Sequence, residues 1–310
     1  MNTLRQTAED YLELRRSLGF GLIVPGRQVL QFADYLDRLG ATRVTPELAI
    51  EWATQAAGTA AYYQWLRLSA VRGFAHYLHG IDPAHQVPTA DLLPRDYHRP
   101  TPYLLSAADI TSLIAATATL RPELHAATYR TLIGLLAVTG MRPSEALTMD
   151  TANVDLREGI LTVRGKYDKT REILIHPSTI TELADYTALR DRTFPCRTDT
   201  SFFVSLRGTA LNKRRVHYVF TRLATRAGLL PHSPRCRPVL TSLRHSFAVA
   251  TLISWYHDGV DIDAHMPLLS TWMGHVDPAD TYWYISATPE LLALATERMV
   301  HTFNDTEEAR

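Results

Sequence analysis

Three short blocks of this chain carry side chains able to bind, attack or protonate an anionic ester. The first is Thr139-Gly140-Met141-Arg142-Pro143-Ser144-Glu145-Ala146-Leu147, an arginine at a helix start with a glutamate three residues later on the same face. A guanidinium steadied by a carboxylate offers a planar fork to anionic oxygens. The same spacing also describes a surface ion pair worth a few tenths of a kcal/mol. The second is Thr241-Ser242-Leu243-Arg244-His245-Ser246-Phe247-Ala248, an arginine in the first turn of a helix whose N-terminus also attracts anions. A capped surface helix would carry the same residues. The third runs Trp272-Met273-Gly274-His275-Val276-Asp277-Pro278-Ala279-Asp280-Thr281-Tyr282-Trp283-Tyr284-Ile285. A histidine after a glycine, with a tyrosine nine positions on, has no structural explanation. An aromatic cluster is by itself more typical of a core, so local pattern does not assign the tyrosines.

The formal net charge is zero, with 32 basic and 32 acidic residues, which argues against a uniformly basic surface. Distribution overrules that sum. No acidic residue falls between Asp199 and Asp258, a stretch holding Arg207, Lys213, Arg214, Arg215, Arg222, Arg226, Arg235, Arg237 and Arg244. Ordinary solvated faces mix signs, so this segment reads as a phosphate-facing surface. The only lysines are Lys166, Lys169 and Lys213, and two of them share one short loop. Arginine would supply charge there equally well, so lysine suits a proton. Cys196 and Cys236 lack the pairing of a disulfide framework or a zinc site and read as free thiols. The longest apolar runs, such as Leu132 to Val138, are far short of the roughly 20 residues that span a bilayer. A soluble cytoplasmic chain with no membrane partner is expected.

The elements that must position these blocks are mostly helices. Apolar residues return every three or four positions from about Asn2 to His79, predicting four helices that stop at Gly19, Gly40 and Gly80. Pro83, Pro88, Pro94, Pro100 and Pro102 then predict an extended, semi-stiff connector. Ser106 and Asp109 predict a capped helix through about Thr117. A strongly apolar helix over 123–138 breaks at Thr139-Gly140, and a shorter one starts near Pro143. Residues 160–164 and 171–175 flank Gly165-Lys166-Tyr167-Asp168-Lys169-Thr170 as a β-hairpin. Further helices are expected near 177–191, 212–227, 241–257, 267–274, 278–286 and 288–300, with a frayed tail from Asn304.

The three blocks in this order, with a lysine hairpin between the first two, resemble the tyrosine recombinase (phage integrase) family. The resemblance covers most of the chain and implies a mainly α fold. Residues 1–82 would be a helical, SAM-like core-binding domain and 83–105 a Pro-rich linker. Residues 106–303 would be a mixed α/β, mostly helical DNA breaking-rejoining catalytic domain with a small β-hairpin or sheet, followed by a tail at 304–310. It places the family's two arginines on Arg142 and Arg244, its hairpin lysine on Lys166, its His-or-Trp position on His275 and its nucleophile on Tyr284, which demotes Tyr282. Glu145 falls on the supporting acid, and Lys169 is the less favoured lysine.

One departure matters. Thr241 stands where the family usually has the first histidine of H-x-L-R-H, and a hydroxyl is no acid or base near neutral pH. His245, four residues on and on the same helix face, is either its substitute or a packing histidine. The implied activity is site-specific cleavage and rejoining of DNA through a 3′-phosphotyrosyl intermediate, with no metal, nucleotide or other cofactor. The implied partners are double-stranded DNA and a homo-tetramer on paired sites, with hetero-assembly among related recombinases also conceivable. Arg67, Arg72, Lys169, Arg207, Lys213, Arg214 and Arg215 are candidate DNA contacts. The amphipathic segment Pro289 to Val300 is either an exchanged C-terminal helix or packs on its own domain. A bacterial, nucleoid-associated location would follow. The rivals are a DNA-binding member that no longer cuts and a type IB topoisomerase-like relaxase.

Overall fold

A computed structural model describes residues 3–55, 60–95, 101–165, 169–286 and 288–297. It divides into two compact units, Met1–Arg99 and Pro100–Arg310. The expected frayed tail and the last turn of the expected final helix lie outside the described residues, as does Lys166.

The first unit is built from α1 (Leu4–Ser17), α2 (Ile23–Arg38), α3 (Pro46–Thr54) and α4 (Ala61–Ile81). Thr3 caps α1 by accepting from the Gln6 amide, and Thr45 caps α3 ahead of Pro46. Leu12, Phe32, Leu36, Trp52, Val71 and Phe74 close the core. Gly19 and Gly40 take positive φ just beyond α1 and α2, but Gly80 lies inside α4, which runs one residue further. The first half of the expected connector is docked rather than free. His85 is buried and accepts from the Val44 amide through Nδ1 at 3.1 Å, Gln86 donates to Val44 O, and Leu93 packs on the core. Arg67 and Arg72, the candidate DNA contacts of this unit, are half-buried and bonded within it. Arg67 lies 3.7 Å from the centre of the Trp52 ring and donates to Trp52 O, while Arg72 Nε donates to Pro88 O.

The second unit begins with Tyr103 and Leu105, both buried, and the Leu105 amide donates to Ser246 Oγ at 2.7 Å. Its elements are α5 (Ala107–Thr117), α6 (Glu123–Thr139), α7 (Pro143–Leu147), β1 (Val154–Asp155), β2 (Ile160–Arg164), β3 (Thr170–Leu174), α8 (Pro177–Thr193), α9 (Lys213–Arg226), α10 (Leu240–His257), α11 (Ile262–Met273) and α12 (Ala279–Tyr282). A 3-10 turn, Trp283–Ser286, and a helix over 289–297 follow. The Ser106–Asp109 capping box opens α5 as its sequence predicts. The apolar helix α6 is central, with Leu132, Ile133, Leu135 and Leu136 buried in one core. The sheet order is β1-β2-β3, all antiparallel, with Leu161 opposite Ile173 and Val163 opposite Arg171. The two-residue strand β1 was not expected from the sequence pattern. No described helix is long and apolar enough to cross a membrane.

Two helices differ from expectation. The sequence suggests a helix near 267–274; in the fold Pro267 lies inside a helix that starts at Ile262. Asp261 caps it by accepting from the Ala264 amide, and burial of Ile262 and Met266 outweighs the hydrogen bond missing at the proline. The expected 278–286 helix is α for only four residues before tightening to 3-10.

Gly140 ends α6 with φ 62°, and a β-carbon there would overlap the Phe247 ring. Gly140→Ala therefore combines left-handed strain with overpacking. It should destabilise the chain by about 2 kcal/mol or more, read as a lowered denaturant midpoint at unchanged slope.

Candidate active site

The site is organised by the C-terminal end of α11. The last carbonyls of a helix have no partner within it and form its negative pole, so they attract cations. Here three successive carbonyls are taken by three arginines from three different segments. Trp272 O accepts from Arg171 Nε at 2.8 Å, Met273 O from Arg244 Nη2 at 2.8 Å, and Gly274 O from Arg142 Nη2 at 2.8 Å. Arg244 Nη1 also donates to Gly140 O, the carbonyl that caps α6, at 2.8 Å. The Trp272 indole donates to the neighbouring Thr139 O, tying the ends of α6 and α11 together. Gly274 takes φ 67°, and a β-carbon there would lie 2.6 Å from Arg171 Nη1, so the close approach of the guanidinium requires glycine.

Glu145 supplies the buried countercharge. It accepts from the Arg142 amide at 2.8 Å and from Arg142 Nη1 at 2.9 Å. It also accepts from Arg171 Nη1 at 3.2 Å and Nη2 at 2.8 Å. Burial alone would raise its carboxyl, but the hydrogen bonds from Arg171 and Arg142 and the positive field of Arg171 more than offset it and hold the group below the ordinary carboxylate range. The surface ion pair that the spacing also allowed is thus a buried one. The side chains of Glu145 and Arg171 are 4% and 12% exposed against 23% for Arg142, so Arg142 is the member of this trio that opens to solvent.

Arg244 enters the second turn of α10, which begins one residue before the expected start, and it is buried. Burial, then the nearby charge of Arg142, push its guanidinium down to about 10, against which Tyr284 and Glu145 act. It stays cationic at neutral pH. Tyr284 is 1% exposed, with its hydroxyl 3.1 Å from His245 Nδ1. His275 Nδ1 lies 2.6 Å from Thr281 Oγ1, and its ring stacks on that of Tyr284, 6.2 Å between centroids at 18°. Tyr282 is 43% exposed on the same short segment.

Arg142, Glu145, Arg244, His245, His275 and Tyr284 are therefore brought together within the second unit. Thr241 is exposed in the first turn of α10, and Lys169 is exposed where its carbonyl closes the hairpin on the Gly165 amide. Arg207 is exposed in a turn, and Lys213, Arg214 and Arg215 are exposed in the first turn of α9. Asn212 caps that helix by accepting from the Arg214 and Arg215 amides. Arg67 and Arg72 belong to the other unit. Sequence reasoning missed Arg171, Trp272 and Thr281. For Arg171 a signal existed: strand alternation puts it on the same inward face as Ile173, where an arginine needs a buried partner.

The profile of the phage integrase family matches residues 104–290, more than half of the chain. A Sinorhizobium fredii chain carrying the provisional name integrase/recombinase y4rB is 37% identical, over 98% of this chain and 99% of its own length. The tyrosine recombinase XerD of Neisseria meningitidis serogroup A is 27% identical over 91% of this chain and 86% of its own. Among solved structures, the Tn1549 transposon integrase in complex with transposon right end DNA covers 96% of this chain and 100% of its own at a TM-score of 0.69 and 16% identity. The XerH recombinase bound to its difH substrate covers 87% and 77% at a TM-score of 0.66 and 19% identity. The chain belongs to the phage integrase family of tyrosine recombinases, and it is a site-specific recombinase.

Glu145 makes the site acid-sensitive. A carboxylate held below its ordinary value contributes stability that is complete above the unfolded value of about 4.3 and is lost as pH falls through the lower folded value. Glu145→Gln should cost about 2–4 kcal/mol at pH 7 and flatten the fall of thermal midpoint below about pH 4.5.

Proposed function

We propose that Tyr284 is the nucleophile of this recombinase and that the arginine cluster holds the phosphodiester it attacks. The observation that carries this is the convergence of Arg142 with Arg244, His275 and Tyr284, which lie a hundred or more residues further along the chain, on one helix end. Phosphodiesters resist attack because their anionic oxygens repel nucleophiles and the leaving alkoxide is poor. Arg142 and Arg244 neutralise the non-bridging oxygens with fixed guanidinium forks, and His275, oriented by Thr281, donates to them. The phenol oxygen of Tyr284 bonds to phosphorus and the bond to the 5′-oxygen breaks. His245 accepts the phenolic proton, since it touches that hydroxyl and Thr241 offers no base. Lys166 protonates the departing 5′-oxygen. A 3′-phosphotyrosyl link and a free 5′-hydroxyl result, and the reverse steps join a different strand without ATP. Tyr284 is buried, so its 3-10 turn moves towards the phosphate before attack.

Eight of the nine cations in the acid-free stretch are exposed, and Arg244 alone is buried. Lys213, Arg214 and Arg215 crowd the positive pole of α9, an arrangement that a phosphate relieves. The first unit serves as the core-binding domain and 106–303 as the catalytic domain. Structural neighbours include a lambda integrase dimer bound to a core site and a tetramer bound to a Holliday junction. By that analogy this chain acts as a tetramer on two DNA sites in the bacterial cytoplasm, alone or with related recombinases, the 289–297 helix joining neighbours.

Incubation with a nicked suicide substrate tests the chemistry. The wild type should leave a covalent protein–DNA adduct that Tyr284→Phe abolishes and Tyr282→Phe retains; a chain that binds but forms no adduct is the non-cutting rival, and plasmid relaxation without strand exchange is the topoisomerase. His245→Ala should slow adduct formation about 10²–10⁴-fold, partly restored by adding Thr241→His. Neutralising Lys213, Arg214 and Arg215 should reduce the salt dependence of DNA binding by about one unit of slope for each phosphate no longer neutralised.

A further inference from the structure

Arg171 has no role in the chemistry just described, yet its largely buried side chain makes three hydrogen bonds, two to Glu145 and one to Trp272 O. Its two terminal nitrogens grip both oxygens of Glu145, and its Nε holds the carbonyl next to those that hold Arg244 and Arg142. One oxygen of Glu145 is shared: Arg142 Nη1 and Arg171 Nη1 both donate to Oε1. Arg171 therefore holds both oxygens of the carboxylate that Arg142 also engages. Of the two arginines, Arg142 is the more open to solvent. With Arg171 removed, Oε2 keeps only the Arg142 amide, and the carboxylate is free to rotate about its remaining donors.

We propose that Arg171 is a positioning residue for DNA cleavage, setting the Arg142 guanidinium on the scissile phosphate through the carboxylate they share. The inference rests on the assignment of Arg142 to the phosphate made above. It also needs arginine as such. Three donors in one plane span two carboxylate oxygens and a helix-end carbonyl; a lysine ammonium keeps the charge but cannot span them. A purely stabilising buried pair would be indifferent to which oxygen of the substrate carries charge, and that difference is measurable.

The test is single-turnover cleavage of a nicked suicide substrate by the wild type, Arg142→Ala, Arg171→Lys and the double variant, with thermal unfolding and DNA affinity measured for each. Arg171→Lys should cleave about 10- to 100-fold more slowly with near-normal DNA affinity, and should add nothing to the loss in Arg142→Ala. A methylphosphonate at the scissile position lacks one of the charges that Arg142 neutralises. It should restore Arg171→Lys and Arg142→Ala alike. Multiplicative losses in the double variant, or methylphosphonate rescue of Arg142→Ala alone, would overturn the proposal. So would rescue of Arg171→Lys by a 5′-bridging sulfur, which needs no proton on leaving and would assign Arg171 to the lysine hairpin. If Arg171→Lys fails to fold, Arg171→Gln takes its place under the same criteria. A wild type that forms no Tyr284 adduct would instead overturn the catalytic reading itself, and this inference with it.

Discussion

Three guanidinium groups cannot be packed together without countercharge, and the way this chain supplies it governs the rest of the site. One full negative charge comes from Glu145, which is buried and saturated with hydrogen bonds. The remainder comes from backbone: the carbonyls of Trp272, Met273 and Gly274 at the end of α11 and that of Gly140 at the end of α6. Helix C-termini carry partial negative charge and open acceptors, so they hold cations without neutralising them fully. A net positive field is left over, and that is what an anionic substrate requires. Full pairing with carboxylates would have produced a stable core and no site.

The same device explains why a deeply buried Arg244 is tolerated. Desolvation and the neighbouring Arg142 lower its pKa to about 10, far enough above neutrality for the charge to persist. One donor on each terminal nitrogen is matched to a helix-end carbonyl, which offsets part of the cost of burial. Electrostatic stabilisation works best when donors are already fixed before charge develops, and the arginines are fixed by groups that belong to rigid helix ends. His275 follows Gly274 directly, and Tyr284 lies on the next turns, so both rings stand on the same short stretch that orders the arginines.

Compression of this kind constrains the sequence at small residues. Gly274 leaves room for Arg171, and Gly140 leaves room for Phe247 while presenting its carbonyl to Arg244. Both glycines end helices in left-handed conformation, so the residue that stops the helix is also the residue that exposes the acceptor. Thr241 sits outside this network and is exposed, which is consistent with a chain in which His245, one residue beyond Arg244, lies against the tyrosine hydroxyl.

The amino-acid sequence by itself determined most of the helices and the presence of the hairpin, whose second strand starts at Thr170, one residue before the expected 171. These are set by local periodicity, by caps such as Ser106 with Asp109, and by glycines at helix ends, all of which act within a few residues. It also marked Arg142, Arg244, His275 and Tyr284, because the family resemblance is written in contiguous blocks. Tertiary structure decided what those blocks could not express. The ion pair of Arg142 and Glu145 is buried because Arg171 arrives from a strand 26 residues away, a distance no local pattern reports. The helix α11 runs through Pro267 because Ile262 and Met266 find a core. The proline-rich connector is docked at each end for the same reason, through Leu93 on the first unit and through Tyr103 and Leu105 on the second. Arg67 and Arg72 are half-buried and bonded within their own unit, Arg67 on a tryptophan face and each to a backbone carbonyl. Spacing along the chain fixes which groups share a face; only packing across it fixes what that face meets, and a buried charge is defined by what it meets.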